Sequence, residues 1–97
     1  MKQRVVYIDV DDTLIRSFGT KRMPMASVVA SVRALHEQGV ALYLWSSGGG
    51  DYARESAAEL GIETLFIAFL PKPDVYIDDQ SFDEWRLCRH VPTGQCG

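Results

Sequence analysis

The sequence predicts one α/β domain, a three-layer α/β/α sandwich around a mostly parallel sheet. Three observations carry this expectation. Short apolar runs rich in β-branched and aromatic residues alternate with stretches of helical period, in the order β-α-β-α-β-β-α. The strand-like runs are continuous in their apolar character, as in strands buried on both faces. A chain of 97 residues, 46% hydrophobic and 24% charged, has ordinary globular composition and suits a single domain over residues 1–97.

Val5-Val6-Tyr7-Ile8 is the first strand, and it ends in acid at Asp9-Val10-Asp11-Asp12-Thr13. From Leu14 to Pro24 no period persists, and Gly19, Lys21, Arg22 and Pro24 read as an exposed flap near the end of that strand. Val28, Val29, Val32, Leu35 and His36 form one apolar stripe of a helix over about Met25 to Gln38, stopped by Gly39. Val40 to Trp45 is a second buried strand, whose Tyr43 and Trp45 read as packing residues. Ser46-Ser47-Gly48-Gly49-Gly50 then forms a loop whose backbone can approach a ligand closely. Asp51 is the expected N-cap of a second helix, in which Tyr52, Ala53, Ala57 and Leu60 keep helical spacing up to Gly61.

Thr64-Leu65-Phe66-Ile67 and Val75-Tyr76-Ile77 are read as two further strands, and Ser81 to Cys88 as a short helix with Trp85 in the core. The step from Ile67 to Asp74 is shorter than the ~10–12 residues that a parallel crossover needs. Either the third strand is shorter than drawn, or Ala68 to Pro73 crosses the sheet as an extended, Pro-stiffened segment. With right-handed crossovers the whole arrangement is Rossmann-like.

Ten Lys+Arg against thirteen Asp+Glu give a net charge of -3, which leaves no broad polyanion-binding face, so nucleic-acid binding is not indicated. Cys88 and Cys96 are the only cysteines and His36 and His90 the only histidines, so no structural zinc site is expected. Sparse cysteine favours a reducing cytoplasm, with a Cys88–Cys96 bridge as the alternative. The apolar run after Arg4 breaks at Asp9, too short for a signal segment or a membrane span, so a cytoplasmic protein with no membrane partner is expected.

Ligands of open parallel α/β sheets bind beyond the carboxyl ends of the strands, where every unusual polar cluster of this chain falls. Asp9, Asp11 and Asp12 follow the first strand, Ser46 and Ser47 the second, and Asp78 and Asp79 the strand expected beside the first. Five carboxylates in one crevice would repel, at about 3 kcal/mol for each pair ~5 Å apart with an effective dielectric near 20. Oxygen-only ligands point to magnesium as the neutralising cation. Asp9 and Asp11, two apart at a strand end, point to the same side and differ in reach. Asp9 can attack phosphorus to give an aspartyl-phosphate, while Asp11 protonates the leaving oxygen and then activates water. Ser46 and the amides of Gly48 to Gly50 are donors for the phosphoryl oxygens.

These motifs resemble those of the haloacid dehalogenase superfamily of aspartate-nucleophile phosphatases. Tyr7-Ile8-Asp9-Val10-Asp11-Asp12-Thr13-Leu14 is similar to its first motif, Leu42-Tyr43-Leu44-Trp45-Ser46 to its second, and Val75-Tyr76-Ile77-Asp78-Asp79 to its fourth. The resemblance implies that Asp9 is nucleophile and metal ligand, that Asp11 is acid/base and binds metal through its carbonyl, and that Ser46 binds phosphate. Asp78 or Asp79 would complete a Mg2+ site. It also implies a lysine beside the nucleophile. Lys72, in Leu70-Pro71-Lys72-Pro73-Asp74, has the right composition, but on a straight strand at ~3.3 Å per residue it would lie about 20 Å from Asp78, so either the loop folds back or another cation serves, with Lys21 and Arg22 on the flap as the substitutes. Thr13, Ser47, Gly48, Lys21 and Arg22 are the expected substrate contacts.

The implied activity is a capless, Mg2+-dependent phosphatase acting on phosphoric monoesters through aspartyl-phosphate, with an open crevice suited to large or accessible phosphorylated substrates. Two other readings use the same crevice. One is a receiver-like phosphoacceptor switch, opposed by the Ser that ends the second strand and by the lack of any lysine after Lys72. The other is a non-catalytic binding module. No residue pattern sets the oligomeric state.

Overall fold

A computed structural model describes residues 3–86 and 88–96. In chain order the elements are β1 (Val5–Asp9), β2 (Ile15–Phe18), β3 (Lys21–Pro24), α1 (Ala26–Glu37), β4 (Ala41–Ser46), α2 (Gly50–Glu59) and β5 (Ala68–Pro71), with 3-10 turns at Glu63–Leu65, Phe82–Glu84 and Thr93–Gln95. The protein is thus a small α/β domain. Its main sheet has the order β1-β4-β5 with both pairings parallel, and β2 and β3 form a separate antiparallel hairpin.

The flap expected over Leu14 to Pro24 is this hairpin. Leu14 and Ile15 are buried and fasten its base, the Met25 amide donates to the Leu14 carbonyl at 2.8 Å, and Gly19 turns the chain with φ +60°. Arg16 to Phe18 are exposed, so the strand carries almost no apolar pattern by which a sequence could announce it.

Both helices form within a residue or two of their expected bounds. Gly39 and Gly61 follow them with φ +81° and +72°, the left-handed conformation that ends a helix. Asp51 is not the N-cap of α2: Gly49 takes that place with φ 102° and ψ 168°, a region essentially reserved for glycine, and Asp51 sits in the first turn.

Val28 and Val32 of α1, Ala53 and Ala57 of α2, and Ile8, Leu42 and Leu44 of the sheet belong to one buried cluster closed by Ile62 and Phe66. Both helices therefore cover the same face of the sheet. On the other face Tyr7 is 47% exposed, and its ring lies 5.1 Å from that of Tyr43 and 5.0 Å from that of Trp45. Tyr43 and Trp45 are half-buried there and take no part in the core.

The described residues thus make two layers where the sequence predicts three, because the elements meant for the third do not form. Val75, Tyr76 and Ile77 make no strand, and Ile77 is 99% exposed. In place of the expected helix over Ser81 to Cys88 there is a single 3-10 turn, Phe82–Glu84, supported by a capping box between Ser81 and Glu84 and ended by the extended backbone of Trp85; Leu87 lies outside the described residues. Phe82 and Trp85 meet edge to face with ring centres 4.6 Å apart, and the Tyr76 ring lies 4.3 Å from that of Phe82, so this aromatic trio is a cluster of its own and Trp85 is not in the core.

The third strand begins later than expected. Thr64 and Leu65 lie in a 3-10 turn, Phe66 plugs the core, and pairing with β4 starts at Ala68. No second crossover is then needed, which removes the strain in the sequence reading. Cys88 and Cys96 are free thiols, and no helix among the described residues is long and apolar enough to cross a membrane.

α2 starts hard against β5. A Cβ on Gly50 would lie 2.7 Å from the carbonyl oxygen of Phe69, whereas one on Gly94 would meet nothing within 4 Å. Gly50→Ala is expected to lower unfolding stability by about 1–3 kcal/mol through this forced shift, and Gly94→Ala to stay within about 0.5 kcal/mol of wild type. Urea melts followed by circular dichroism check both, and equal stability of the two variants would contradict the packing described.

Candidate functional site

Three strands end side by side and set the site. Asp9 is the last residue of β1, Ser46 the last of β4, and Lys72 the first residue past β5, its amide donating to the Ser46 carbonyl at 2.9 Å. The Lys72 ammonium lies 3.0 Å from Asp9 Oδ1 and 5.8 Å from the centre of the Trp45 ring. Thr13 donates its hydroxyl to Asp9 Oδ2 at 3.0 Å. Each oxygen of the Asp9 carboxylate thus has one partner, and the pair stays open to solvent, with side chains 29% and 34% exposed.

Thr13 reaches Asp9 because the chain doubles back sharply after β1. The Val10 carbonyl accepts from the amides of Thr13, Leu14 and Ile15, and the fully buried Val10 and Leu14 anchor the turn. Asp12 sits in it at φ 62°, a left-handed conformation that Asp tolerates better than most non-glycine residues.

Asp11 points to different partners. Its Oδ1 accepts the Tyr52 hydroxyl at 2.6 Å, and the Tyr52 oxygen in turn accepts from Arg22 Nη1 at 2.8 Å. Arg22 also donates through Nη2 to Ser56 Oγ at 3.1 Å and pairs through Nε with Glu59 at 3.2 Å. The Tyr52 hydrogen bond, outweighing partial burial and helped by Glu59, raises the Arg22 guanidinium above its ordinary value. Arg22 thus braces the hairpin against α2, at a position the sequence predicts to be a substrate contact. Lys21 is exposed at the hairpin turn, next to Arg22.

Ser46 is buried, with its Oγ accepting from the Gly48 amide at 3.0 Å and its carbonyl from the Gly49 amide at 3.1 Å. Two of the three glycine amides expected to face a ligand are thus spent on Ser46. The amides of Gly50, Asp51 and Tyr52, in the first turn of α2, have no acceptor within the helix and remain the donors of this loop. Ser47 and Gly48 are exposed beside them.

The five-carboxylate crevice does not form. Asp78 and Asp79 lie in the exposed segment after Pro73, since Val75 to Ile77 do not join the sheet, and Asp78 accepts from the Gln80 amide at 2.9 Å. Among the described residues no three His, Cys, Asp or Glu side chains gather to hold a metal ion. The strand ends offer Asp9, engaged by Lys72 and Thr13, and Asp11, engaged by Tyr52, and this donor set does not fit the expected Mg2+ site. The cation beside Asp9 is Lys72, so Lys21 and Arg22 are not needed in that place.

Fold and site define a small α/β domain with an aspartate–lysine pair at the carboxyl end of a parallel sheet and a hairpin braced against α2. The chain belongs to the family described as Protein of unknown function (DUF705), which matches residues 1–84. This corrects the resemblance to the haloacid dehalogenase superfamily: the matching family is DUF705, and no haloacid dehalogenase family matches. No curated protein and no solved structure matches the chain.

From sequence Tyr52 reads only as a helical spacing residue; its place in the first turn after the glycine loop that follows β4 is the signal that marks it.

The Gln80 amide, and then Asp79, hold the Asp78 carboxyl below the usual aspartate range, and the Ser81 hydroxyl does the same for Asp83. A lowered folded-state value means that these contacts favour folding above the unfolded-chain value and are lost as pH falls through the folded one. Carboxyl titration by NMR is expected to give low midpoints for both, and an ordinary midpoint for either would show its contact to be absent in solution.

Proposed function

We propose that this protein is a phosphohydrolase that transfers the phosphoryl group of a phosphoric monoester to Asp9 and then to water. The observation that supports the reading most directly is the Lys72 ammonium, 3.0 Å from Asp9 Oδ1 at the open end of the sheet. A phosphoryl group drawn to the same ammonium arrives beside the nucleophile with part of its charge offset. Thr13 fixes the carboxylate plane from the other side. The first-turn amides of α2 and the exposed Ser47 supply donors for the phosphoryl oxygens.

In the first step an Asp9 oxygen forms a bond to phosphorus, the bond from phosphorus to the leaving oxygen breaks, and Asp11 in its acid form gives that oxygen a proton. In the second step Asp11, now a carboxylate, takes a proton from water as the water oxygen attacks phosphorus. The bond between phosphorus and Asp9 breaks and phosphate leaves. Lys72 carries the compensating charge in both steps, and no step is routed through magnesium. The hairpin leaves the strand ends open, which suits accessible phosphorylated substrates.

The test is hydrolysis of a generic aryl phosphate, with and without magnesium, by wild type, Asp9→Asn and Lys72→Met, each shown to be folded by circular dichroism. Wild-type turnover is expected to fall by more than ~10⁴ in Asp9→Asn and by ~10²–10³ in Lys72→Met. Undiminished turnover in Asp9→Asn would refute the covalent reading. A folded wild type that hydrolyses no phosphomonoester would leave a binding module, and a stable phospho-Asp9 a phosphoacceptor switch.

A further inference from the structure

We propose that Tyr52 is the positioning residue for Asp11, and that Arg22 of the hairpin dictates the direction in which Tyr52 gives its proton. The inference rests on the reading of Asp11 as the acid and base of phosphoryl transfer.

Asp11 is exposed at a turn, and an exposed aspartate has several staggered side-chain conformations open to it. A general acid is useful only when its proton points at the leaving oxygen. The 2.6 Å hydrogen bond from Tyr52 to Oδ1 selects one conformation. It also selects an oxygen: with Oδ1 accepting from tyrosine, the single proton of the acid form resides on Oδ2, which is left to face the substrate.

The direction of that bond follows from the chemistry of arginine. A guanidinium has donors and no acceptor. Arg22 Nη1, 2.8 Å away, therefore obliges the Tyr52 oxygen to accept, and the one hydroxyl proton is turned toward Asp11. Arg22 is itself held from two further sides, by Glu59 at 3.2 Å and by the buried Ser56 at 3.1 Å, and its guanidinium lies 5.4 Å from the centre of the tyrosine ring. A chain of donors thus runs one way, from β3 through α2 to the end of β1.

Gly48 belongs to the same device. A Cβ there would lie 2.9 Å from Tyr52 Cδ2, so the glycine makes room for the ring in the place from which its hydroxyl reaches Asp11. Neither Tyr52 nor Arg22 touches the reacting atoms in this arrangement. Their effect passes through Asp11 alone.

Leaving-group dependence separates this role from a merely structural one. Dinitrophenyl phosphate expels a leaving group that needs no proton, whereas phenyl phosphate expels one that gains from protonation. Tyr52→Phe keeps the ring and removes the hydroxyl. It is expected to lower kcat on phenyl phosphate by ~10-fold or more, within the range of general-acid contributions, and to leave dinitrophenyl phosphate within about twofold of wild type. Arg22→Lys, which cannot span all three partners, is expected to show the same selective loss in weaker form. Combining Tyr52→Phe with Asp11→Asn is expected to add nothing to Asp11→Asn alone. Equal losses on the two esters, no loss on either, or full additivity in the double variant would overturn the proposal while leaving Asp9 as nucleophile. A folded wild type that turns over neither ester would remove the reading on which it rests, and the proposal with it.

Discussion

The register of β5 against β4 is the constraint on which the site depends. Leu70 pairs with Trp45, which in turn pairs with Asp9, and Pro71 pairs with Ser46, so Lys72 is the first residue free of the sheet and emerges two residues past the level of Asp9. Side chains alternate between faces along a strand, so a slip of one residue would send the lysine to the opposite side of the sheet and away from Asp9. The register is pinned from below by the backbone contact of α2 with Phe69 at Gly50 and from above by the bond from the Lys72 amide to the Ser46 carbonyl. A packing contact, the close approach of a helix start to a strand, thereby decides which cation meets the carboxylate.

A second constraint acts from the hairpin side. Leu14 and Ile15 anchor the base of the hairpin in the core, and Arg22 ties its second strand to Tyr52, Ser56 and Glu59 of α2. Exposed ion pairs contribute little to stability by themselves. Here the guanidinium also satisfies the buried Ser56 hydroxyl, and its bond to Tyr52 continues to Asp11. The two carboxylates at the end of β1 are thus held by separate assemblies, Asp9 by the strand ends and Asp11 by hairpin and helix, which suits groups with different roles in one reaction.

The first two strands and both helices were legible because their apolar runs and stripes are long enough to carry a period, and Gly39 and Gly61 end the helices as glycine should. The hairpin was not, since only Ile15 of its first strand is buried. The third strand was displaced because Thr64 to Ile67 has strand composition, whereas Phe66 is needed as a core plug and pairing waits until Ala68. Val75 to Ile77 also has strand composition and still forms none, so apolar character there measures propensity without a partner. Of the candidate site, Asp9 and Lys72 were legible as residue types. Their pairing was not, because the sequence puts Lys72 at the foot of a strand running up through Val75 to Ile77 to Asp78, whereas Lys72 leaves the top of β5, which ends at Pro71, and Val75 to Ile77 form no strand.

These displacements have a common electrostatic result. A crevice of five acids demands a divalent cation, whereas one carboxylate facing one ammonium is already balanced. Once β5 takes its observed register and Asp78 and Asp79 stay outside the strand ends, the Asp9 carboxylate already faces one ammonium and one hydroxyl donor. Under the proposed function a dianionic phosphoryl group would need a second positive source, and the unpaired first-turn amides of α2, at the positive end of that helix's dipole, are the donors available for it. The glycine loop that lets α2 start so close to β5 thus has two consequences: it sets the register that delivers Lys72, and it turns the helix N-terminus toward the strand ends at which a phosphoryl group would meet Asp9.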